Sequence, residues 1–261
     1  AKAYPNEVVG AVTRQDTPKN RGHAMTPPPV KILAQSLGIP VYQPANLKAE
    51  NFRDTLDACA PDIIIVAAYG RILPAYVLDA PRFGCINIHA SLLPKYRGAA
   101  PIQWSVINGE KITGVTSMFM DAGMDTGDII DTITTPIGEN ETAGELFDRL
   151  APLGAELLSR TLRSIADGTV QRAPQNNAEA TMAPMLEKAM GKLDFTRSAK
   201  ELHDQIRGMN PWPGCHCAAG GKALKIHESR LAEGHGKPGE LIALDPVTVA
   251  CGEGALRLIL S

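Results

Sequence analysis

The stretch CINIHASLLPKYRGAAP, Cys85–Pro101, decides the fold because it joins a strand, a polar pair, a turn and a helix. The apolar residues at its start predict a strand, so Asn87 and His89, two positions apart, project from one face. Pro94 fixes its own φ and keeps the preceding residue out of helical space, so the chain must turn there. Apolar residues within 102–107 then predict a short helix behind the turn.

An amide and an imidazole on one strand face suit acyl chemistry. Both Asn87 and His89 can donate to the oxygen that becomes negative when a nucleophile adds to a carbonyl. An isolated Asn-x-His pair is also common as a turn residue beside a histidine with satisfied hydrogen bonds. The residues of this pair alone leave both interpretations open.

The segments on either side of this stretch predict an α/β fold. Residues 62–68 are apolar on both faces, which is typical of a parallel strand covered by helices, and residues 112–120 predict a further strand. Leucines at helical spacing predict a long helix from residue 142 or 143 to residue 167, and residues 169–196 lack periodicity and predict a surface linker. Short strands at 223–228, 240–244, 247–251 and 256–260 predict a small barrel.

Composition excludes several classes of protein. The chain has 261 residues, 44% of them hydrophobic, and no apolar run near the roughly 20 residues of a membrane helix. With no charged-then-apolar leader, we expect a cytoplasmic protein, or one of an organelle matrix in a eukaryote, with no membrane partner. Five cysteines, an odd number, favour reduced thiols. Cys215-His-Cys217 lacks a second ligand pair at zinc spacing, so we expect no metal.

The net charge of −2 is not typical of a nucleic-acid-binding protein, so any RNA contact must be local. The best basic patch lies within residues 14–31, where Arg14, Lys19, Arg21 and Lys31 face only Asp16. Residues 13–30 contain four prolines and predict an exposed loop. A loop of this length is more often functional or mobile than a plain connection, although a solvated linker stays possible.

Four stretches of the sequence resemble the folate-dependent formyltransferases. They are TPKNRGHAMTPPPVK from residue 17, NIHASLLPKYRGAAP from residue 87, MDAGMDTGDII from residue 120 and GMNPWPG from residue 208. Among those enzymes, the chain is most similar to the ones that act on charged initiator tRNA, from about residue 8 to residue 260. The resemblance implies a Rossmann-like formyltransferase domain and a small C-terminal β-barrel of the OB type. The expected division is a catalytic domain, a linker and a tRNA-binding β domain, at residues 1–184, 185–197 and 198–261.

The resemblance also implies a reaction and its residues. The expected co-substrate is 10-formyltetrahydrofolate, the expected acceptor is initiator methionyl-tRNA, and the expected state is a monomer. The family's catalytic residues match Asn87, His89 and Asp125, and its tRNA-contacting arginine matches Arg21. The family's folate pocket matches Ser91, Leu92, Leu93, Pro94, Arg71, Ile72 and Leu73.

Two further expectations come from the family pattern. Members begin with a strand and a glycine-containing loop that this sequence lacks, and they continue with further barrel strands, so we expect both ends to be truncated. The placement of Pro94 at a turn into the folate pocket predicts a cis Leu93–Pro94 bond.

Other functions stay open at this point. Within the family, the acceptor could be a sugar amine, or water in a formyl-folate hydrolase. The parallel-sheet pattern alone is also typical of nicotinamide-dependent oxidoreductases, but the sequence has no G-x-G-x-x-G turn, unless the missing start held one. A catalytically silent RNA-binding protein would explain the basic loop but not Asn87, His89 and Asp125 together.

Overall fold

A computed structural model describes residues 8–19 and 24–260 of the chain. Contacts divide the described residues into two units. The first holds the residues up to Asn87 together with Phe119–Met124, and the second holds Ile88–Met118 and the residues from Asp125 onward. The predicted domain boundaries at residues 184 and 198 follow a different division and stay a prediction.

The first unit contains short strands and helices. In chain order they are β1 (Ala11–Val12), β2 (Thr17–Lys19), β3 (Ala24–Thr26), α1 (Pro29–Ser36), β4 (Val41–Tyr42), α2 (Ala49–Cys59), β5 (Ile64–Val66), α3 (Ala75–Leu78) and the start of β6 (Cys85–His89). The core of the unit includes Phe52 and Leu56, which are four residues apart on one face of α2 and both buried.

The strand β5 pairs in parallel with β6, in the register Ile64 to Cys85 and Val66 to Asn87, as the apolar pattern predicts. The strand is shorter than the predicted 62–68, and Ile65 is 36% exposed, so burial on both faces is wrong for this residue. The strand cannot continue far, because Ala68 has a φ of 47°, which is incompatible with extended backbone.

The segment 13–30, predicted to be a loop, contains regular structure. The strands β2 and β3 pair antiparallel with Thr17 opposite Thr26, and β-branched residues favour such strands. The helix α1 begins at Pro29, because the first helical position needs no N–H donor. The prediction missed this hairpin because prolines and glycine suppress the periodicity by which strands are detected.

The second unit contains the longer elements. They are α4 (Pro101–Ile107), β7 (Ile112–Phe119, whose last residue belongs to the first unit), β8 (Ile129–Pro136), α5 (Ala143–Ala166), α6 (Ala199–Gly208), β9 (Cys215–Ala219), β10 (Lys222–Ala232), β11 (Leu241–Leu244), β12 (Val247–Ala250) and β13 (Ala255–Leu260). Strands β7 and β8 pair antiparallel. No helix among residues 8–19 and 24–260 is long and apolar enough to cross a membrane.

The helix α5 confirms the predicted long helix. Thr142 caps it by accepting from the backbone N–H of Glu145, whose carboxylate accepts from the Thr142 N–H in return. Leu146, Leu150 and Leu157 are fully or almost fully buried along one face, so burial of this stripe holds α5 in place.

The C-terminal strands form one antiparallel sheet with the order β11-β12-β13-β10-β9. Four of these strands lie where the sequence predicts them, and β9 is additional. The sequence pattern of β9 indicates only candidate metal ligands, Cys215 and Cys217, and no strand. The thiol of Cys215 is buried against the sulfur of Met209, and burial raises its pKa to about 12.

The helices α4 and α6 approach closely within the second unit. A Cβ on Gly208 would lie 2.5 Å from Cγ1 of Ile107, so only glycine permits this spacing. Trp104 of α4 packs against the same core as Leu202 and Ile206 of α6. This shared core places α4 in the same unit as the C-terminal sheet.

Residues 169–196 are not a plain surface linker. Ala173 bridges to Ile129, Met182 bridges to Arg97, and two short 3₁₀ helices occur at Asn177–Glu179 and Lys188–Gly191. The pairing of this segment with distant residues leaves no local period, so the sequence pattern could not reveal it.

Candidate active site

Strand β6 carries both members of the predicted polar pair. Because side chains alternate along a strand, Asn87 and His89 project from the same face. Asn87 is partly exposed, and His89 is 6% exposed.

The two ring nitrogens of His89 face two oxygens. Nε2 lies 2.9 Å from the carbonyl oxygen of Tyr96, and because a carbonyl only accepts, Nε2 carries a hydrogen and donates it. Nδ1 lies 3.7 Å from Oδ2 of Asp125. The carboxylate therefore lies beside the ring, just beyond the length of a direct hydrogen bond. This geometry brings two of the three predicted catalytic residues together.

The carboxylate of Asp125 is held from the turn that follows β6. Its Oδ2 accepts from the backbone N–H of Gly98 at 2.8 Å. Gly98 has a φ of 119°, and a Cβ there would lie 2.8 Å from the carbonyl oxygen of Ala183. Only glycine can therefore present its N–H to Asp125 from this position.

The backbone of Asp125 is fixed from a second side. The side-chain amide of Gln175 donates to the carbonyl oxygens of Asp125 at 2.9 Å and Gly127 at 2.7 Å. Oε1 of Gln175 accepts from the guanidinium of Arg97 at 2.7 and 3.0 Å. The sequence analysis assigned a role to neither residue. Arg97 lies in the stretch 85–101, and Gln175 lies in the segment 169–196 that the sequence predicts as a surface linker.

The turn at Ser91–Pro94 is held by a buried threonine. Oγ1 of Thr116 donates to the carbonyl oxygen of Ser91 at 2.6 Å and accepts from the N–H of Leu93 at 3.2 Å. Ser91 is itself fully buried and donates to the carbonyl oxygen of Lys95 at 2.7 Å. The Leu93–Pro94 bond is cis, as predicted.

The residues of the predicted folate wall differ in exposure. Ser91 and Leu93 are buried, whereas Leu92 and Pro94 are partly exposed. Leu92 and Pro94 border a cavity of about 380 Å³ that also includes Tyr96. Only Leu92 and Pro94 therefore offer side-chain surface for a ligand in this segment.

The cavity carries a polar cluster. The hydroxyl of Tyr96 donates to Oε1 of Glu110 at 2.8 Å, and the Tyr96 N–H donates to Oγ1 of Thr181 at 2.9 Å. Burial, followed by the carboxylate of Glu110, raises the pKa of Tyr96 to about 12. The hydroxyl of Tyr96 therefore stays protonated and remains a donor to Glu110.

The other predicted folate residues lie in the first unit. The guanidinium of Arg71 donates to the carbonyl oxygen of Ala45 at 2.9 Å, which fixes its side chain against the backbone. Ile72 is 80% exposed, and Leu73 is buried in the core of the unit. Their assignment to a pterin pocket stays a prediction, in which Ile72 has the most side-chain surface to offer.

Arg21, the predicted tRNA contact, lies outside the described residues. Of the other basic residues in its segment, Arg14 is exposed, but Lys31 is paired. Its Nζ lies 2.8 Å from the carboxylate of Asp16 and 2.7 Å from Oε1 of Gln43, and the bond from Lys31 lowers the pKa of Asp16. The basic patch is therefore weaker than the sequence predicts, because Asp16 neutralises Lys31.

The comparison with family models covers most of the chain. Residues 2–162 match the family described as formyl transferase, and residues 185–260 match the formyl transferase C-terminal domain.

Individual relatives are similar along nearly the whole sequence. The chain is 49% identical over 258 residues to a methionyl-tRNA formyltransferase of Ectopseudomonas mendocina, covering 98% of this chain and 82% of the relative. It is 47% identical over 249 residues to the methionyl-tRNA formyltransferase of Macrococcus caseolyticus, covering 95% and 80%.

Among solved structures, the chain is similar to an N-formyltransferase from Helicobacter canadensis in complex with folinic acid and dTDP-3-aminofucose. The TM-score is 0.68 at 21% identity, with 95% of this chain and 87% of that chain covered. At this identity the likeness shows the fold alone.

Proposed function

The chain belongs to the formyl transferase family, and we propose that it transfers the formyl group of 10-formyltetrahydrofolate to the amino group of initiator methionyl-tRNA. The acceptor follows from the relatives named above, which are methionyl-tRNA formyltransferases at 47–49% identity along more than nine-tenths of this chain.

The proposed reaction needs charge stabilisation and one proton transfer. The amine nitrogen of the methionyl group attacks the formyl carbon, and the carbonyl oxygen becomes negative in the tetrahedral intermediate. The bond from carbon to the folate nitrogen then breaks, the amine loses a proton, and the folate nitrogen gains one. No covalent bond to the protein is required.

Three side chains suit these tasks. Asn87 and His89 would stabilise the tetrahedral oxyanion, Asn87 through its amide N–H and His89 through the Nε2–H that the substrate oxygen takes over from the Tyr96 carbonyl. Asp125 would orient His89 and, directly or through water, help to carry the proton from the amine to the folate nitrogen. The observation that carries this proposal is the approach of the His89 ring to the Asp125 carboxylate, which the Gly98 N–H holds in place.

The substrates are assigned to two groups of residues. We propose that the folate lies against Ser91–Pro94 and Arg71–Leu73, and that Arg21 contacts the tRNA. The predicted domains, with a catalytic part at 1–184, a linker at 185–197 and a tRNA-binding β domain at 198–261, belong to the same proposal. We expect a monomer that acts where charged initiator tRNA and reduced folate occur, in the cytoplasm or in an organelle matrix.

The test offers three acceptors to the purified protein with 10-formyltetrahydrofolate. They are charged initiator tRNA, a nucleotide-linked sugar amine, and water alone. We expect formyl-methionyl-tRNA as the main product, and uncharged tRNA as the matched control gives none. Faster formylation of the sugar amine, or hydrolysis that charged tRNA does not suppress, would overturn the proposed acceptor.

A further inference from the structure

The side-chain amide of Gln175 uses its full hydrogen-bonding capacity. Oε1 accepts two N–H groups of Arg97, and Nε2 donates to the carbonyl oxygens of Asp125 and Gly127. A carboxylate could accept from Arg97 but could not donate to the two carbonyls, and an ammonium could do only the reverse. The position therefore requires an amide, in this one orientation.

Arg97 supports that amide from a buried position. It is 6% exposed, and every acceptor that its guanidinium reaches among the described residues is a neutral amide oxygen, of Gln175 or of Asn177. Burying a charge against neutral partners costs free energy, so the arrangement needs a compensating role. Its backbone is also fixed, because its N–H donates to Thr181 and its carbonyl accepts from Ala183.

Both contacts converge on the conformation of Asp125. The residue has a φ of 53°, in the left-handed region that few residues other than glycine adopt. Gln175 holds its carbonyl, and Gly98, the residue after Arg97, holds its carboxylate at 2.8 Å. The carboxylate is aimed at His89 only while these bonds keep the backbone in this conformation.

We propose that Arg97 and Gln175 are positioning residues that fix the pose of Asp125 for reaction. This inference rests on the proposed function for its kinetic consequence, although the hydrogen-bond network exists independently of it. A displaced catalytic group is costly, because a shift of 1 Å can reduce a rate by about a hundredfold.

The test uses two isosteric substitutions at neighbouring partners of Arg97. Gln175→Glu keeps an acceptor for Arg97 but turns an oxygen toward the carbonyls of Asp125 and Gly127. Asn177→Asp introduces the same charge against the same guanidinium, from a residue whose side chain has no hydrogen bond to the Asp125 loop in the described structure. We expect kcat to fall about 10- to 100-fold in Gln175→Glu, with KM for charged tRNA unchanged, and to stay near wild type in Asn177→Asp.

A double-mutant cycle separates positioning from general damage to the fold. If Gln175 acts through Asp125, Gln175→Glu should have little further effect on kcat in an Asp125→Asn background. Full additivity of the two losses would contradict the inference. Gln175→Met, which also removes the two donors, serves as the second variant should the glutamate variant fail to fold.

A readout without activity distinguishes this inference from the proposed function. Hydrogen exchange of the Gly98 amide should become about tenfold faster in Gln175→Glu, because loosening Asp125 weakens the bond that protects it, and should not change in Asn177→Asp. If the wild type does not formylate tRNA but Gly98 responds in this way, the proposed function fails and the positioning role stands. Unchanged Gly98 exchange together with unchanged kcat would overturn the positioning role.

Discussion

Replacing Thr116 by valine would test what holds the Ser91–Pro94 turn. Valine keeps the shape of threonine but removes the hydroxyl, which bridges the Ser91 carbonyl and the Leu93 N–H. Thr116 is fully buried, so water cannot replace these bonds without a rearrangement. An unsatisfied buried group costs about 1–3 kcal/mol, so two such groups predict a loss of about 2–6 kcal/mol in the free energy of unfolding.

The matched control is Thr113→Val on the same strand, β7. Thr113 is also buried, and among the described residues its hydroxyl makes no hydrogen bond that holds the turn. Urea unfolding of wild type and both variants gives the free energies from the midpoints, provided that the slopes agree. We expect Thr116→Val to lose at least about 1 kcal/mol more than Thr113→Val. Equal losses in the two variants would refute the role assigned to the Thr116 hydroxyl.

Three further predictions concern the site, the acceptor and the pH dependence of stability. Asp125→Asn should keep the bond from the Gly98 N–H, because the amide oxygen still accepts. It should reduce single-turnover formylation by about a hundredfold or more, because an amide cannot take up a proton. A wild-type rate would remove Asp125 from the chemistry. Arg21→Ala should slow formylation of charged tRNA without affecting folate binding. The rate should also depend less on salt, because fewer counterions are released when the tRNA binds. An unchanged rate at every salt concentration would contradict the tRNA contact. Burial lowers the pKa of His203 below its ordinary value of 6.5. The unfolded chain therefore binds a proton at a higher pH than the folded chain does, and the folded protein loses stability as the pH falls below 6.5. His203→Gln should therefore lose less stability than wild type between pH 7.5 and pH 5.5 in urea unfolding; an equal loss would show that other groups cause the dependence.

The elements around the site could be predicted where a local period exists. Strand β6 and helix α5 follow from alternation and from leucine spacing, and Thr142 followed by Glu145 marks the start of α5. These signals depend on residues within one or two turns of each other, so a single sequence contains them.

The supporting contacts of the site could not be predicted in this way. Gln175 lies 50 positions from Asp125 and 78 from Arg97, in a segment without periodicity. A side-chain amide that bonds to two backbone carbonyls leaves no pattern in the sequence. Strand β9 and the β2–β3 hairpin were missed for a related reason, because cysteine, proline and glycine obscure alternation in such short strands.

The distribution of these contacts determines how the site depends on the rest of the chain. A left-handed conformation at a residue other than glycine costs on the order of 1–3 kcal/mol, so the loop of Asp125 would not hold it alone. The N–H of Gly98 and the amide of Gln175 offset that cost, and their own positions depend on the bridge between Arg97 and Met182. The segment of residues 169–196, which the sequence predicts as a surface linker, therefore acts as part of the site. A change at Gln175, or one that breaks the bridge between Met182 and Arg97, should therefore lower the rate of the proposed reaction through the pose of one carboxylate, although every predicted catalytic residue is intact.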